Sequence, residues 1–102
     1  MAKVIRVTKA MAQARLADVP EEKRFWCCDG RVLQNLAELQ VALRQMSDET
    51  FRNHSNEEKT DFSNWVRDVI GDEVLSRQLQ GSVSRLEAAK SVAARIAWLK
   101  SK

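Results

Sequence analysis

Three glycines and one proline punctuate all 102 residues of this chain. A β-sandwich or small barrel needs many tight turns, so this scarcity argues against both. No apolar run approaches the roughly 18 residues that a membrane span requires. The first twenty residues, "MAKVIRVTKAMAQARLADVP", contain no apolar block followed by a small-residue cleavage site, so no secretory signal is expected. Tyrosine is absent, and histidine occurs once, at His54. The only cysteines, Cys27 and Cys28, are adjacent. Their Cα atoms stand about 3.8 Å apart across a trans peptide, closer than ordinary disulfide geometry allows. Reduced thiols in a cytoplasmic setting follow. The chain has no Gly-rich phosphate loop and no recognisable Ser/His/Asp set, so it does not read as an enzyme.

Good helix formers dominate instead: Ala, Leu, Arg, Glu and Gln are plentiful. With 44% apolar and 30% charged residues, 102 residues suit one domain with a modest core. Three capping boxes mark helix starts: Asn35 with Glu38, Ser55 with Glu58, and Ser84 with Glu87. After the first, Leu36, Leu39, Leu43 and Met46 recur at helical spacing, with Ala42 filling in. After the second, Phe62, Trp65, Val66, Val69 and Ile70 form a complete apolar stripe, closed by Gly71. Asp72 caps a short helix with Val74, Leu75 and Leu79. The last helix, to about Ser101, is expected to bury Leu86, Ala89, Val92, Ala93, Ile96 and Leu99. Phe62 and Trp65 are expected to be buried against Leu39, Leu43 and Leu86 or their neighbours.

Ahead of these helices, Asp29-Gly30 between the pairs Phe25-Trp26 and Val32-Leu33 reads as a two-residue hairpin. Residues 2–7 alternate weakly and suit an extended start. Thr8 caps a short helix that Pro20 terminates. The fold class is therefore mainly all-α: a compact bundle of four to five helices with a small β-hairpin at its start and an N-terminal arm. Residues 1–22 read as a basic arm that packs weakly, and residues 23–102 as a single helical domain.

Residues 25–80 resemble a small, mostly archaeal helical family known only as a domain of unknown function. The likeness rests on "FWCCDGRVLQNLAELQVALRQMSDETFRNH" and "NEEKTDFSNWVRDVIGDEVLSRQL". It runs through Gly30, Leu36, Leu39, Met46, Phe51, His54, Glu58, Asp61, Phe62, Trp65, Gly71, Asp72 and Leu75. An Asn-His pair stands where the family more often has an aromatic before the His, and Ser76 stands where an Ala usually follows the Leu. The resemblance implies the fold and no activity.

Charge is unevenly placed. Net charge is +3, but residues 1–25 carry about +3, residues 26–80 about −4 and residues 81–102 about +4 by the same sequence. Basic ends around an acidic middle suit an anionic partner; basic residues late in a helix also simply complement its dipole. Trp98 falls on the polar face of the last helix, opposite Leu86, Ala93 and Ile96 and beside Ser91, Arg95 and Lys102. A tryptophan among basic residues stacks on a base or anchors a partner; the alternative is packing against the hairpin or the arm.

His54, Glu58 and Asp61 are spaced i, i+4, i+7. On one helix they would share a face and suit a metal or a proton relay. Ser55 as N-cap puts His54 outside that helix, so the expected role is helix-end complementation, with His54 paired to one of the carboxylates. Cys27, Cys28 and His54 are the only soft ligands. Structural zinc wants four, and adjacent cysteines on a strand face opposite sides, so no metal and no cofactor is expected. A helix-turn-helix over residues 72–101 is disfavoured because the acidic run Asp68–Glu73 would repel phosphate.

The expected function is a non-enzymatic interaction module. It would dock onto a protein assembly, or onto a second copy of itself, through the arm and the last helix. The alternative is a nucleic-acid-associated accessory protein of a ribosome or nucleoid, binding phosphates through its basic termini. The residues expected to meet the partner are Lys3, Arg6, Lys9, Arg15, Arg95, Trp98 and Lys102. No membrane and no small-molecule substrate is implied.

Overall fold

A computed structural model describes residues 7–102. Six α-helices lie among them: α1 (Lys9–Leu16), α2 (Leu36–Gln45), α3 (Asp48–His54), α4 (Asp61–Trp65), α5 (Glu73–Gln80) and α6 (Arg85–Lys100). A 3-10 turn, Glu21–Lys23, follows α1, and strands β1 (Phe25–Trp26) and β2 (Val32–Leu33) form the hairpin. The mainly helical fold with an early hairpin is thus as the sequence indicates. Residues 1–6, with Lys3, Arg6 and most of the expected extended start, lie outside the described residues. No helix among the described residues is long and apolar enough to cross a membrane.

The principal helix pair is α2 with α6. The buried face of α2 is Leu36, Leu39, Ala42 and Leu43, and that of α6 is Ala88, Ala89, Val92, Ile96 and Leu99. Small Ala88 and Ala89 let the helices approach, and ridges of Leu and Val fill the rest. Four side chains cap their helices as expected: Thr8 accepts from the Met11 N–H at 3.1 Å, Asn35 from Glu38 at 2.8 Å, Asp72 from Leu75 at 3.1 Å and Ser84 from Glu87 at 3.1 Å. Arg85 binds back to the last carbonyls of α2, Leu43 at 3.2 Å and Arg44 at 2.8 Å, and to Asp48 at 3.0 Å. It thereby satisfies acceptors that a helix end leaves unpaired.

An aromatic cluster fixes the hairpin. The Phe25 ring stacks on Phe62 at 5.0 Å between centroids and meets Trp65 edge-on at 6.0 Å. Phe51 stacks on the other ring partner, Phe62, at 5.9 Å. The Trp65 indole N–H donates to the Lys23 carbonyl at 2.8 Å. Burying these rings against α3 and α4 supplies what a two-stranded hairpin lacks alone.

Four expectations need correction. First, Ser55 is not an N-cap. Its N–H closes α3 on the Phe51 carbonyl at 2.8 Å, and it pairs with Thr60 across a short loop. Asn56 builds that loop, its side chain accepting from the Glu58 and Lys59 N–H groups at 2.9 and 3.2 Å. An Asx turn at Asn56 outcompetes the capping box one residue earlier, so α4 begins only at Asp61.

Second, Leu86 is 56% exposed and takes no part in burying Phe62 or Trp65. The buried face of α6 begins instead at Ala88, nearly opposite Leu86 around the helix. Third, Asp29-Gly30 is not a two-residue loop. Phe25 pairs with Leu33 and Trp26 with Val32, and the Gly30 N–H returns to the Cys27 carbonyl at 3.0 Å. Cys28 and Asp29 are thus the corners, and Gly30 follows at φ +96°, the left-handed conformation of a bulged hairpin.

Fourth, the arm is not separate from residue 7 onward. Helix α1 lies against α6, α2 and the turn after α4. Val7 and Ala12 are buried, and Met11, Leu16 and Val19 pack on the core. The Val19 N–H also donates to the Gln34 carbonyl at 2.7 Å.

Candidate anion-binding cleft

The stripe that starts α4 does not end as a regular helix. Residues Val66–Ile70 form a π turn, closed by the Gly71 N–H on the Val66 carbonyl at 2.8 Å. Gly71 then takes φ +87°, which a residue with a Cβ adopts only under strain. Reversal there turns Asp72 into the protein, where its side chain is 0% exposed.

A buried carboxylate must be compensated, and three helices contribute. One Asp72 oxygen caps α5. The other accepts from Arg95 Nε of α6 at 2.7 Å and stands 3.8 Å from an Arg15 terminal nitrogen of α1. Two guanidinium groups share one carboxylate, which leaves a positive charge in surplus. Arg95 also lies over the Trp98 ring, 4.2 Å from its centroid, and Lys102 Nζ stands 4.1 Å from the same centroid.

Arg15, Arg95 and Trp98 border a cleft of about 760 Å³, with Arg67, Glu73 and Arg77 also on its walls. Arg67 pairs with Asp68 at 2.9 Å, and the hydrogen bond and charge of Asp68 raise the guanidinium pKa further. Arg77 enters no ion pair among the described residues. It also lines a second groove, which Lys90 of α6 joins. The two grooves form a mostly cationic track along α5 and α6, with Glu87 the acidic residue on the second. Of the acidic run expected to repel phosphate, Asp72 is buried and Asp68 is paired, so Glu73 alone is exposed and unpaired on the cleft.

Of the residues expected to meet a partner, Arg15, Arg95, Trp98 and Lys102 come together here. Lys9 is exposed on α1, away from the cleft lining. Trp98 is 38% exposed. It lines the cleft together with Val7 and Arg15 of the N-terminal segment, and two cations occupy its ring. Arg67, Arg77 and Asp72 escape a helical-wheel reading. Their convergence depends on the π turn and the Gly71 reversal, and only the unusual Gly-Asp after an apolar stripe hints at it.

A second polar cluster gathers around His54, the last residue of α3. Its Nδ1 lies 2.9 Å from Asp61 Oδ2, and its Nε2 accepts from the Cys28 N–H at 3.0 Å. Accepting at Nε2 places the proton on Nδ1, where Asp61 receives it. Glu58 does not join the cluster; it is exposed in the loop at 55–60. His54, Glu58 and Asp61 thus share no helix face, because α3 and α4 are separate helices. Cys28 sits at the turn corner and not on a strand, so the expectation that the two sulfurs face opposite sides fails. Cys27 and Cys28 sulfurs and a His54 ring nitrogen all lie within 4.8 Å of one another. Cys27 is buried, and burial pushes its thiol up to about 11, against the opposing effect of the Asp29 main chain.

No protein-family model, curated protein or solved structure matches the chain.

Proposed function

We propose that the protein is a non-enzymatic binding module that holds a nucleic-acid backbone on the track formed by α1, α5 and α6. The observation that supports this most is the convergence of Arg15, Arg67, Arg77 and Arg95 on one cleft, two of them aimed by buried Asp72. Guanidinium groups present forked N–H donors that match phosphate oxygens. Arg77 and Lys90 carry the positive surface into the next groove, as a ligand with repeated phosphates needs. Cations already cover Trp98, so backbone contact is favoured over base stacking, and little sequence preference follows.

The test is fluorescence anisotropy with labelled oligonucleotides of several sequences between low and moderate salt. The expected result is similar affinity for each sequence. The logarithm of affinity should fall linearly with that of salt, by about 0.7 per phosphate neutralised on a single strand. Absence of binding at low salt, or a salt-independent affinity, overturns the proposal.

A second reading, a protein partner, draws on Val83 and Leu86, which are 87% and 56% exposed at the start of α6. An apolar interface there would survive salt and would fail on Leu86→Asp.

A further inference from the structure

Beyond the cationic track, we propose that Cys27, Cys28 and His54 form a binding site for one thiophilic d10 cation, Zn²⁺ or Cu⁺. The argument starts from the hairpin turn. Cys27 precedes the corner and Cys28 occupies it, so both sulfurs reach the same imidazole. Two soft sulfurs with one imidazole nitrogen is a donor set that selects such cations. Bonds of 2.0–2.3 Å would put three donors roughly 3.3–3.8 Å apart. The observed spread, within 4.8 Å, closes to that range by small side-chain rotations. Cys28 is exposed and can rotate.

The histidine is prepared for this role. Asp61 accepts from Nδ1 at 2.9 Å, which fixes the ring and makes Nε2 the basic nitrogen. That carboxylate–histidine arrangement recurs behind metal-bound imidazoles. Phe25 and Phe62, stacked on each other, both pack against the ring, with centroids at 5.1 and 5.4 Å. Nε2 points at the turn, where it accepts from the Cys28 N–H at 3.0 Å. The cation replaces this one hydrogen bond, and the released N–H lies on an exposed turn where water takes it. Asn53 donates to the Cys28 sulfur at 3.7 Å and holds it toward α3.

Binding breaks two S–H bonds and forms two S–metal bonds. Both protons pass to solvent, and no electrons change hands. Three protein donors leave the fourth zinc position to water. The ion would then tie the hairpin turn to the end of α3.

The experiment uses the full chain, reduced and stripped with chelator. Co²⁺ serves as the spectroscopic probe for the zinc arm, followed by displacement with Zn²⁺. Cu⁺ is titrated separately against a bicinchoninate competitor. The expected result is one equivalent bound, a thiolate-to-cobalt charge-transfer band, and a rise in melting temperature with at least one of the two cations. Binding in only one arm identifies the cation. Cys28→Ser alters an exposed side chain and leaves the core intact, and it should lower affinity at least about tenfold. Asp61→Asn should lower it about 10- to 100-fold while Cys27 and Cys28 stay in place. The proposal is overturned if neither cation binds at one equivalent, or if Cys28→Ser binds as tightly as the parent.

Discussion

Arg95 Nε stands 2.7 Å from Asp72 Oδ2, inside the protein, while the same guanidinium lies over Trp98 at the cleft. The bond joins the N-cap of α5 to the middle of α6. Removing one partner of such a buried pair leaves the other charge uncompensated, which costs about 3–5 kcal/mol. Asp72→Asn should therefore lower unfolding free energy by about that amount in urea titration. Arg95→Gln should cost less when combined with Asp72→Asn than alone, and additive losses would mean that the two side chains do not interact.

Trp65→Ala should cost about 3–5 kcal/mol, because the indole fills the aromatic cluster. Trp65→Phe keeps much of the ring and loses the bond to the Lys23 carbonyl, so about 1 kcal/mol of its cost comes from that bond. Leu99→Ala should cost about 2–5 kcal/mol, whereas exposed Leu86→Ala should stay within about 0.5 kcal/mol. Equal losses at Leu86 and Leu99 would contradict the observed face of α6.

Arg77 reports on binding without the confounding role that Arg95 has in stability. Arg77→Ala should leave the melting temperature unchanged, weaken oligonucleotide binding for every sequence alike, and lessen the salt slope by about one phosphate's share. A sequence-dependent loss would point to base contact instead.

The two thiols should differ in reactivity. An alkylating reagent at neutral pH should modify Cys28 readily and Cys27 only slowly. Its thiol is raised from 9.0 to about 11 and it is buried. In the unfolded chain the same thiol ionises near 9.0, so the native state binds its proton more tightly. The associated stability is fully present below pH 9.0 and declines from there to about 11. Unfolding measured across that window should show the decline, and Cys27→Ala should flatten it.

Deleting residues 1–16 should now destabilise the domain. Partly buried Met11 and Leu16 contribute on the order of 1.5 kcal/mol each, and Arg15 leaves Asp72. A truncated chain with unchanged unfolding would restore the picture of a separate arm.

The helices were legible because their signals are local. Asn35, Asp72 and Ser84 each cap within three residues, and the leucine spacing of α2 marks its buried face directly. Ser55 misled because Asn56 beside it offers the backbone a competing turn, and spacing alone does not say which side chain wins. Leu86 misled because it is apolar yet lies off the face that carries Ala88, Ala89, Val92, Ile96 and Leu99, and residue type outweighed helical phase in placing it. The cleft was half legible: Arg95 and Trp98 lie near each other on α6 and Lys102 follows just past its end, but Arg67 and Arg77 reach them through tertiary geometry. The pairing of His54 with a carboxylate was readable from composition, and its contact with Cys28 across 26 residues was not.

The π turn at Val66–Ile70 fits one more residue into its loop of hydrogen bonds than an α-helix would. One residue of an α-helix corresponds to about 100° of rotation about the axis. Had the segment continued as an ordinary helix, everything after it would be out of phase by that angle. Asp72 would then face away from α1 and α6, and Arg15 and Arg95 would lose the anion that gathers them. The orientation of Asp72, and with it the gathering of Arg15 and Arg95, is thus tied to a single surplus residue in the turn that precedes it.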